Sequence, residues 1–209
     1  MILLNILYLW DTQSVYRFRI KTMNICILIL AAGKSERFQN AGGKGSKLNL
    51  GLGKSTVFEK TLFNSIDSGI SIHVVTRPEN EGVINNCLQF NIPYSLINSN
   101  GLGDSIAFGV KNTSNLDGWI IHLADMPYIN SELFIRIANE LKQHTLIRPV
   151  YNGLPGHPVG ISAKYYSDLI KLSGDEGAKS ILQDNFVYKL DINNENIVKD
   201  IDYPSVDNE

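Results

Sequence analysis

The stretch from Lys34 to Lys47 sets Lys34, Arg37, Lys44 and Lys47 among Gly42, Gly43 and Gly45, directly after Gly33. Cations neutralise phosphate charge, and small residues let backbone N–H groups approach a ligand closely. That composition suits a polyanion such as a nucleoside triphosphate. Far along the chain, Asp125 follows the apolar run Trp119-Ile120-Ile121-His122-Leu123 and precedes Met126-Pro127. A carboxylate held rigidly there suits Mg²⁺, which keeps several waters and binds phosphate oxygens directly. A cationic cradle and a metal carboxylate together point to chemistry at a phosphate.

Both groups need elements that deliver them to one place. Ile25 to Leu30 is a short apolar run that opens into Ala31-Ala32-Gly33, the pattern of a fully buried parallel strand followed by a loop. Trp119 to Leu123 reads the same way, so the cradle and Asp125 should share the carboxyl edge of one sheet. Between and beyond them the spacing predicts helices over Thr56–Ser68, Glu79–Leu88, Asp104–Lys111, Ser131–Leu141 (Ser131 as N-cap), Lys164–Leu172 and Glu176–Gln183. Strands are expected at Ile70–Val75, Pro93–Ile97, Leu146–Tyr151, Pro158–Ser162 and Phe186–Ile192, with a tail from Ile197 to Val206. Alternating strands and helices predict an α/β fold: one Rossmann-like domain, a mostly parallel sheet with helices on both faces, and a smaller β-rich part after residue 145.

The bulk properties narrow the partners. The 209 residues suffice for one sizeable core, and a net charge of −2 gives no general pull toward nucleic acid or an anionic membrane. Cys26 and Cys87 have neither metal-ligand spacing nor a disulfide framework, which fits a reducing, cytoplasmic setting. Residues 1–22 start apolar but lack a basic leading segment and a cleavage site, and they are too short and interrupted to span a bilayer. They are expected to be a disordered extension or a start-site artefact before Met23, with the domain running over 23–206; deleting 1–22 should leave activity unchanged.

Gly33-Lys34-Ser35 and Gly53-Lys54-Ser55-Thr56 each look like the end of a Walker A loop, but Leu28 and Leu48 stand where that motif needs its first glycine. The site is therefore no ordinary P-loop. The segment Leu30-Ala31-Ala32-Gly33-Lys34-Ser35-Glu36-Arg37-Phe38, with Lys47 further on, instead resembles the signature of the MobA-like nucleotidyltransferases. Four more segments resemble that family in order: Gly101-Leu102-Gly103-Asp104-Ser105, Leu123-Ala124-Asp125-Met126-Pro127, Gly153-Leu154-Pro155-Gly156-His157-Pro158-Val159 with Gly174 to Lys179, and Asp200-Ile201-Asp202-Tyr203-Pro204. The third pair is similar to the branch that acts on molybdenum cofactor as a cytidylyltransferase. Gln39 in place of glycine, the Gln39–Ser46 insertion, Ser55 in place of proline, and Tyr203 and Ser205 in the tail mark where this chain departs from the pattern.

The resemblance implies nucleotidyl transfer with Mg²⁺: an NTP α-phosphate joins an acceptor phosphate and pyrophosphate leaves. It implies a nucleotide site of Leu30, Ala31, Ala32, Gly33, Lys34, Arg37, Lys47, Gly103, Ser105 and Asp125, with Lys47, Arg37 and Asp125 catalytic. Asp125 would hold the metal, with Asp200, Asp202 and Asp175 as candidates for a further ligand. Ser105 could contact the base or cap its helix, and Gly156 and His157 could hold the acceptor or shape its loop. His122 reads as core or as support behind Asp125. Ala32 and Phe38 favour CTP, and molybdopterin is the favoured acceptor, with a molybdenum hydroxylase or its maturation factor downstream. A sugar or polyol phosphate acceptor, GTP with molybdopterin, and a non-catalytic nucleotide-binding escort of the cofactor stay open.

Overall fold

The computed structural model describes residues 23–202; the expectations for residues 1–22 and for the tail from Tyr203 lie outside the described residues. In chain order the elements are β1 (Ile25–Ala31), α1 (Glu36–Asn40), β2 (Gly51–Leu52), β3 (Ser55–Thr56), α2 (Val57–Ile66), β4 (Ser71–Thr76), α3 (Glu81–Gln89), β5 (Tyr94–Leu96), α4 (Leu102–Asn112) and β6 (Gly118–Leu123). Then come α5 (Ser131–Glu140), β7 (Leu146–Tyr151), β8 (Leu154–Pro155), β9 (Val159–Ser162), α6 (Tyr166–Leu169), α7 (Lys179–Gln183) and β10 (Tyr188–Asp191). Short 3₁₀ turns form at Lys47–Asn49, Ala163–Tyr165 and Glu195–Val198.

The sheet runs β10-β7-β9-β6-β1-β4-β5, with β8 on the edge of β7. β1 pairs in parallel with β4 on one side and β6 on the other. β9 is antiparallel to both β6 and β7, so it is a reversed strand inside a parallel framework, and the short β8 is antiparallel to β7 at its edge. The strand order turns around at β1, since β4 and β5 lie on one flank and β6 on the other. That is the switch point at which open α/β sheets form a crevice beyond their strand ends.

Every residue of β1 is buried, and alternate side chains enter opposite cores. Ile25, Ile27, Ile29 and Ala31 pack with α2, α3 and α5 through Phe58, Val83 and Phe134. Cys26, Leu28, Leu30 and the following Ala32 pack on the other face with Ile106, Val110 and Leu169. Leu28 and Ile29 have no exposed surface; each such side chain is worth about 2 kcal/mol of burial. α4 approaches the sheet closely because Gly109 has no Cβ, which would lie 2.6 Å from a Leu28 methyl and 2.7 Å from Val75. Burial on both faces is what makes the central strands read as continuous apolar runs.

Several boundaries differ from the sequence expectation. α3 begins at Glu81, because Glu79 turns back to pair with Arg77. The expected helix from Lys164 splits into a 3₁₀ turn and the four residues of α6. α7 begins only at Lys179, and β10 is shorter than Phe186–Ile192, with Phe186 left 83% exposed. The N-cap of α5 is Asn130 and not Ser131: its backbone is extended and its Oδ1 accepts from the Leu133 N–H. Asn130→Ala is expected to cost about 1 kcal/mol in urea unfolding, with Ser131→Ala near neutral.

Among the described residues no helix is long and apolar enough to cross a membrane.

Candidate active site

Leu30 and Leu123 are register partners at the ends of β1 and β6, so Ala32-Gly33 and Asp125 leave the sheet side by side. The two loops bound a cleft of about 530 Å³ that Leu30, Ala32, Gly33, Lys34, Arg37, Lys47, Ser105, Asp125, Asp200 and Asp202 line. Ala31 does not line it: the strand's two-residue period turns its side chain to the opposite core. The cleft thus gathers residues from both halves of the chain at the switch point.

The cradle is built differently from a P-loop. Ser35 adopts the left-handed conformation (φ 57°, ψ 31°) and starts the short helix α1. Its Oγ accepts from the Lys47 N–H, at 3.2 Å, which ties the two ends of the loop together. Gln39, in place of the family's glycine, donates to Gly45 O and Lys34 O and so closes the insertion on itself. Gly43 lies over the Phe38 ring, where a Cβ would come within 2.3 Å of the ring. Lys47 opens a 3₁₀ turn that Ser46 caps and the buried Leu48 anchors. Lys34 (50% exposed) and Arg37 (80% exposed) stand freer at the mouth, beside Glu36 and Asp202.

Lys47 is the centre of the charge network. Its Nζ lies 2.6 Å from Asp125 Oδ2 and 2.8 Å from Asp202 Oδ1. Burial alone would lower the Lys47 pKa, but Asp125 and Asp202 outweigh it and hold the pKa above the ordinary lysine value. The hydrogen bond from Lys47 does most to push Asp202 below the usual carboxylate range, with Arg37 adding to it. Asp200 goes the other way: desolvation first, then the charges of Asp202 and Asp125, raise it. The Ile201 N–H donates to the Asp125 carbonyl, at 3.0 Å, and that bond seats the tail against the site.

Asp125, Asp200 and Asp202 each bring one carboxylate oxygen into a group spanning at most 4.8 Å. An all-oxygen set with crowded negative charge fits a hard divalent cation such as Mg²⁺ or Mn²⁺. Asp125 and Asp202 each also contact Lys47, so a cation and the ammonium would share the same carboxylates. Asp175 lines the cleft but lies outside this acidic group.

The facing wall is the Ser99–Ser105 segment. Gly101 and Gly103 are glycines because the Ser173–Gly174 backbone packs on them; a Cβ on Gly103 would lie 2.7 Å from Ser173 O. Gly103 is buried and donates its N–H to Gly174 O, between the cleft-lining residues Leu102 and Ser105. The Ser105 hydroxyl, also buried, faces Ser99 Oγ at 2.9 Å and Gly101 O at 3.3 Å. Ser105 does not cap α4, whose N-cap is Gly101; it lines the cleft and braces the Ser99–Gly101 loop.

Sequence reasoning missed Arg77. Its Nη1 donates to Ser99 O at 2.9 Å and to Ala32 O at 3.4 Å, joining the loop after β1 to the loop before α4. Arg77→Met leaves two carbonyls without their cationic donor and is expected to lower stability by about 2–3 kcal/mol in urea unfolding. An unchanged midpoint would contradict that positioning role.

His157 sits beyond the cleft, in a second chamber with Pro155. Its Nδ1 is sealed from solvent without a partner. Burial, then the Arg148 cation, bring its pKa to about 4 against the opposing pull of Asp125, so the ring is neutral at pH 7. Gly156 does not line the chamber; it passes under Ile197, whose carbonyl would meet a Cβ at 2.4 Å. His122 is core: it has no exposed surface, packs edge-on against Phe134, and burial holds it down to about 3.

A mostly parallel sheet with this cleft at its switch point is the architecture of Rossmann-like nucleotidyltransferases, and solved structures share it. The Rv0371c protein of Mycobacterium tuberculosis superposes with a TM-score of 0.76 at 20% identity, over 87% of this chain and 94% of that one. A manganese complex of that protein gives 0.70 at 18%, over 81% and 89%. A nucleotidyl transferase from Methanothermobacter thermautotrophicus gives 0.71 at 20%, over 87% and 93%. Residues 27–190 match the MobA-like NTP transferase domain, and the chain belongs to that family. It is also 29% identical to the molybdenum cofactor cytidylyltransferase of Escherichia coli (strain K12) over 104 residues, 50% of this chain and 53% of that protein. The chain thus spans about half the length of the curated relative it matches.

Proposed function

We propose that this chain transfers CMP from CTP to the phosphate of molybdopterin, releasing pyrophosphate with Mg²⁺. The observation that carries the reading is the contact of Lys47 with Asp125 and Asp202 at the shared end of β1 and β6, inside a cleft with further cations at its mouth. An acceptor phosphate oxygen attacks the α-phosphorus in line. The new P–O bond forms as the bond to the β-phosphate bridging oxygen breaks, and pyrophosphate carries the electron pair away.

The protein's task is to hold two anions together and stabilise the charge that shifts to the leaving group. Lys34 and Arg37, on exposed and extendable side chains, grip the β- and γ-phosphates. Lys47, held by its turn, faces the α-phosphate and orients the incoming phosphate. Asp125 and Asp202, with Asp200 beside them, would hold Mg²⁺, which supplies electrostatic stabilisation on the phosphate oxygens. The manganese bound by the mycobacterial protein supports a divalent ion of this kind. Ala32 and Phe38, both lining the cleft, favour the pyrimidine base. The molybdenum cofactor activity of the Escherichia coli relative supports molybdopterin as acceptor and a molybdenum hydroxylase as the protein that receives the product.

The experiment is pyrophosphate release with each NTP, Mg²⁺ and candidate acceptors. Release that requires CTP and molybdopterin is expected. A preference for GTP, or for a sugar or polyol phosphate, would replace the substrate assignment. Tight nucleotide binding with no release would favour the escort reading.

A further inference from the structure

The chamber that holds His157 has a volume of about 490 Å³ and adjoins the nucleotide cleft, with Leu102 lining both. Its walls are apolar: Ile121, Val159 and Ile161 from the sheet, Ile106 from α4 and Leu182 from α7. A concave chamber with apolar walls between a sheet face and helices suits the ring body of a small ligand. Yet two cations intrude on the sheet side. Arg148 of β7 and Lys189 of β10 are register partners on adjacent parallel strands, and both line the chamber.

Arg148 is half-buried, and its one hydrogen bond among the described residues is from Nε to the Gly156 carbonyl at 3.3 Å. Neither Arg148 nor Lys189 has a carboxylate partner there. The remaining charges are Glu176 and Lys179, which pair with each other at 3.9 Å, and His157 is neutral. Like charges on neighbouring strands repel, and a partly desolvated guanidinium without a counter-ion is costly. The guanidinium keeps free donors in a fork that matches a planar anion. An apolar chamber that carries this cost suits a ligand that brings the missing negative charge.

We propose that this chamber receives the acceptor and that Arg148 and Lys189 form a second anion subsite in it. The substrate class is then a phosphomonoester on a ring body that carries a further anionic group remote from the reacting phosphate. This rests on the transferase reading above, and it assigns specificity to residues outside the motifs that define the nucleotide cleft.

The test is calorimetric titration of the full chain with pterin-6-carboxylate and with unsubstituted pterin, the same ring without the charge. The carboxylate is expected to bind at least tenfold more tightly. Arg148→Met and Lys189→Met should each bring the ratio toward one and leave CTP affinity unchanged, with Arg148→Lys intermediate. Lys189 is exposed, so its variant reports even if Arg148→Met folds poorly. Equal affinity for the two probes, no binding of the carboxylate at 1 mM, or a preference that survives Lys189→Met would overturn the subsite. Pyrophosphate release separates the two claims. Release without probe preference removes the subsite alone, whereas probe preference without release removes the transferase reading and leaves an anion chamber.

Discussion

Asp125→Asn is expected to lower pyrophosphate release on the order of 10³-fold, because it removes a charged ligand where negative charge must be neutralised in the transition state. The change is nearly isosteric, and Lys47 keeps Asp202 at 2.8 Å, so the fold should survive. Nucleotide binding without metal should change little, since Lys34 and Arg37, the cations proposed to grip the triphosphate, stand on the segment after β1. Calorimetry with CTP in the presence and absence of Mg²⁺ separates the effects: the wild-type gain in affinity on adding Mg²⁺ should shrink in the variant. Full activation of a molybdenum hydroxylase by Asp125→Asn would favour the escort reading, since an escort needs no transfer chemistry.

Lys47→Met has an effect of two signs. Turnover should fall about 10²–10³-fold, as expected when a positioned charge facing a phosphate is lost. Divalent-cation binding in the absence of nucleotide should strengthen, because Asp125 and Asp202 no longer share their oxygens with an ammonium. A manganese titration followed by electron paramagnetic resonance reads this directly; weaker binding in the variant would show that the ammonium and the ion do not compete. The same variant tests the pH linkage. Asp202 is depressed in the folded state, so its contribution is present above the unfolded value of about 4 and lost as pH falls through the folded value. Lys47 is raised, so its contribution is present below the unfolded value of about 10.4 and lost as pH rises through the folded value. Wild-type stability should therefore exceed that of Lys47→Met most between roughly pH 4 and 10, with the gap closing at both ends.

The parts of the site that were legible in the sequence are those fixed by local pattern. A buried strand announces itself by its apolar run, and a residue directly after such a run leaves from the strand's end. That logic sufficed for Lys34 and Asp125 and for their meeting at one edge of the sheet. It says nothing where facing or distance decides. Ala31 belongs to the signature segment, yet the strand period turns it away from the cleft. Gly103 sits between cleft-lining residues, yet its bare α-carbon serves the packing of Ser173. Asn130 and Ser131 are both good capping residues, and only the backbone turn selects the first. Arg77 acts on carbonyls of Ala32 and Ser99, and Arg148 meets Lys189 only through the pairing of β7 with β10. Such contacts have no local signature, because the sheet order creates them.

The departures from the family pattern acquire a physical account. Gln39 replaces conformational freedom with one hydrogen bond to Gly45 inside the insertion and one to Lys34 before it, and Gly42 and Gly45 supply the positive φ values that the insertion needs. The loop is thus braced from within, and Lys47 emerges from it on a capped turn.

The most direct test of the account follows the label from CTP. With α-³²P-CTP, Mg²⁺ and molybdopterin, the label should appear on the acceptor, while label from γ-³²P-CTP should appear only in pyrophosphate. Label on the acceptor from the γ position would make the chain a kinase, and no transfer from either position would contradict nucleotidyl transfer to this acceptor.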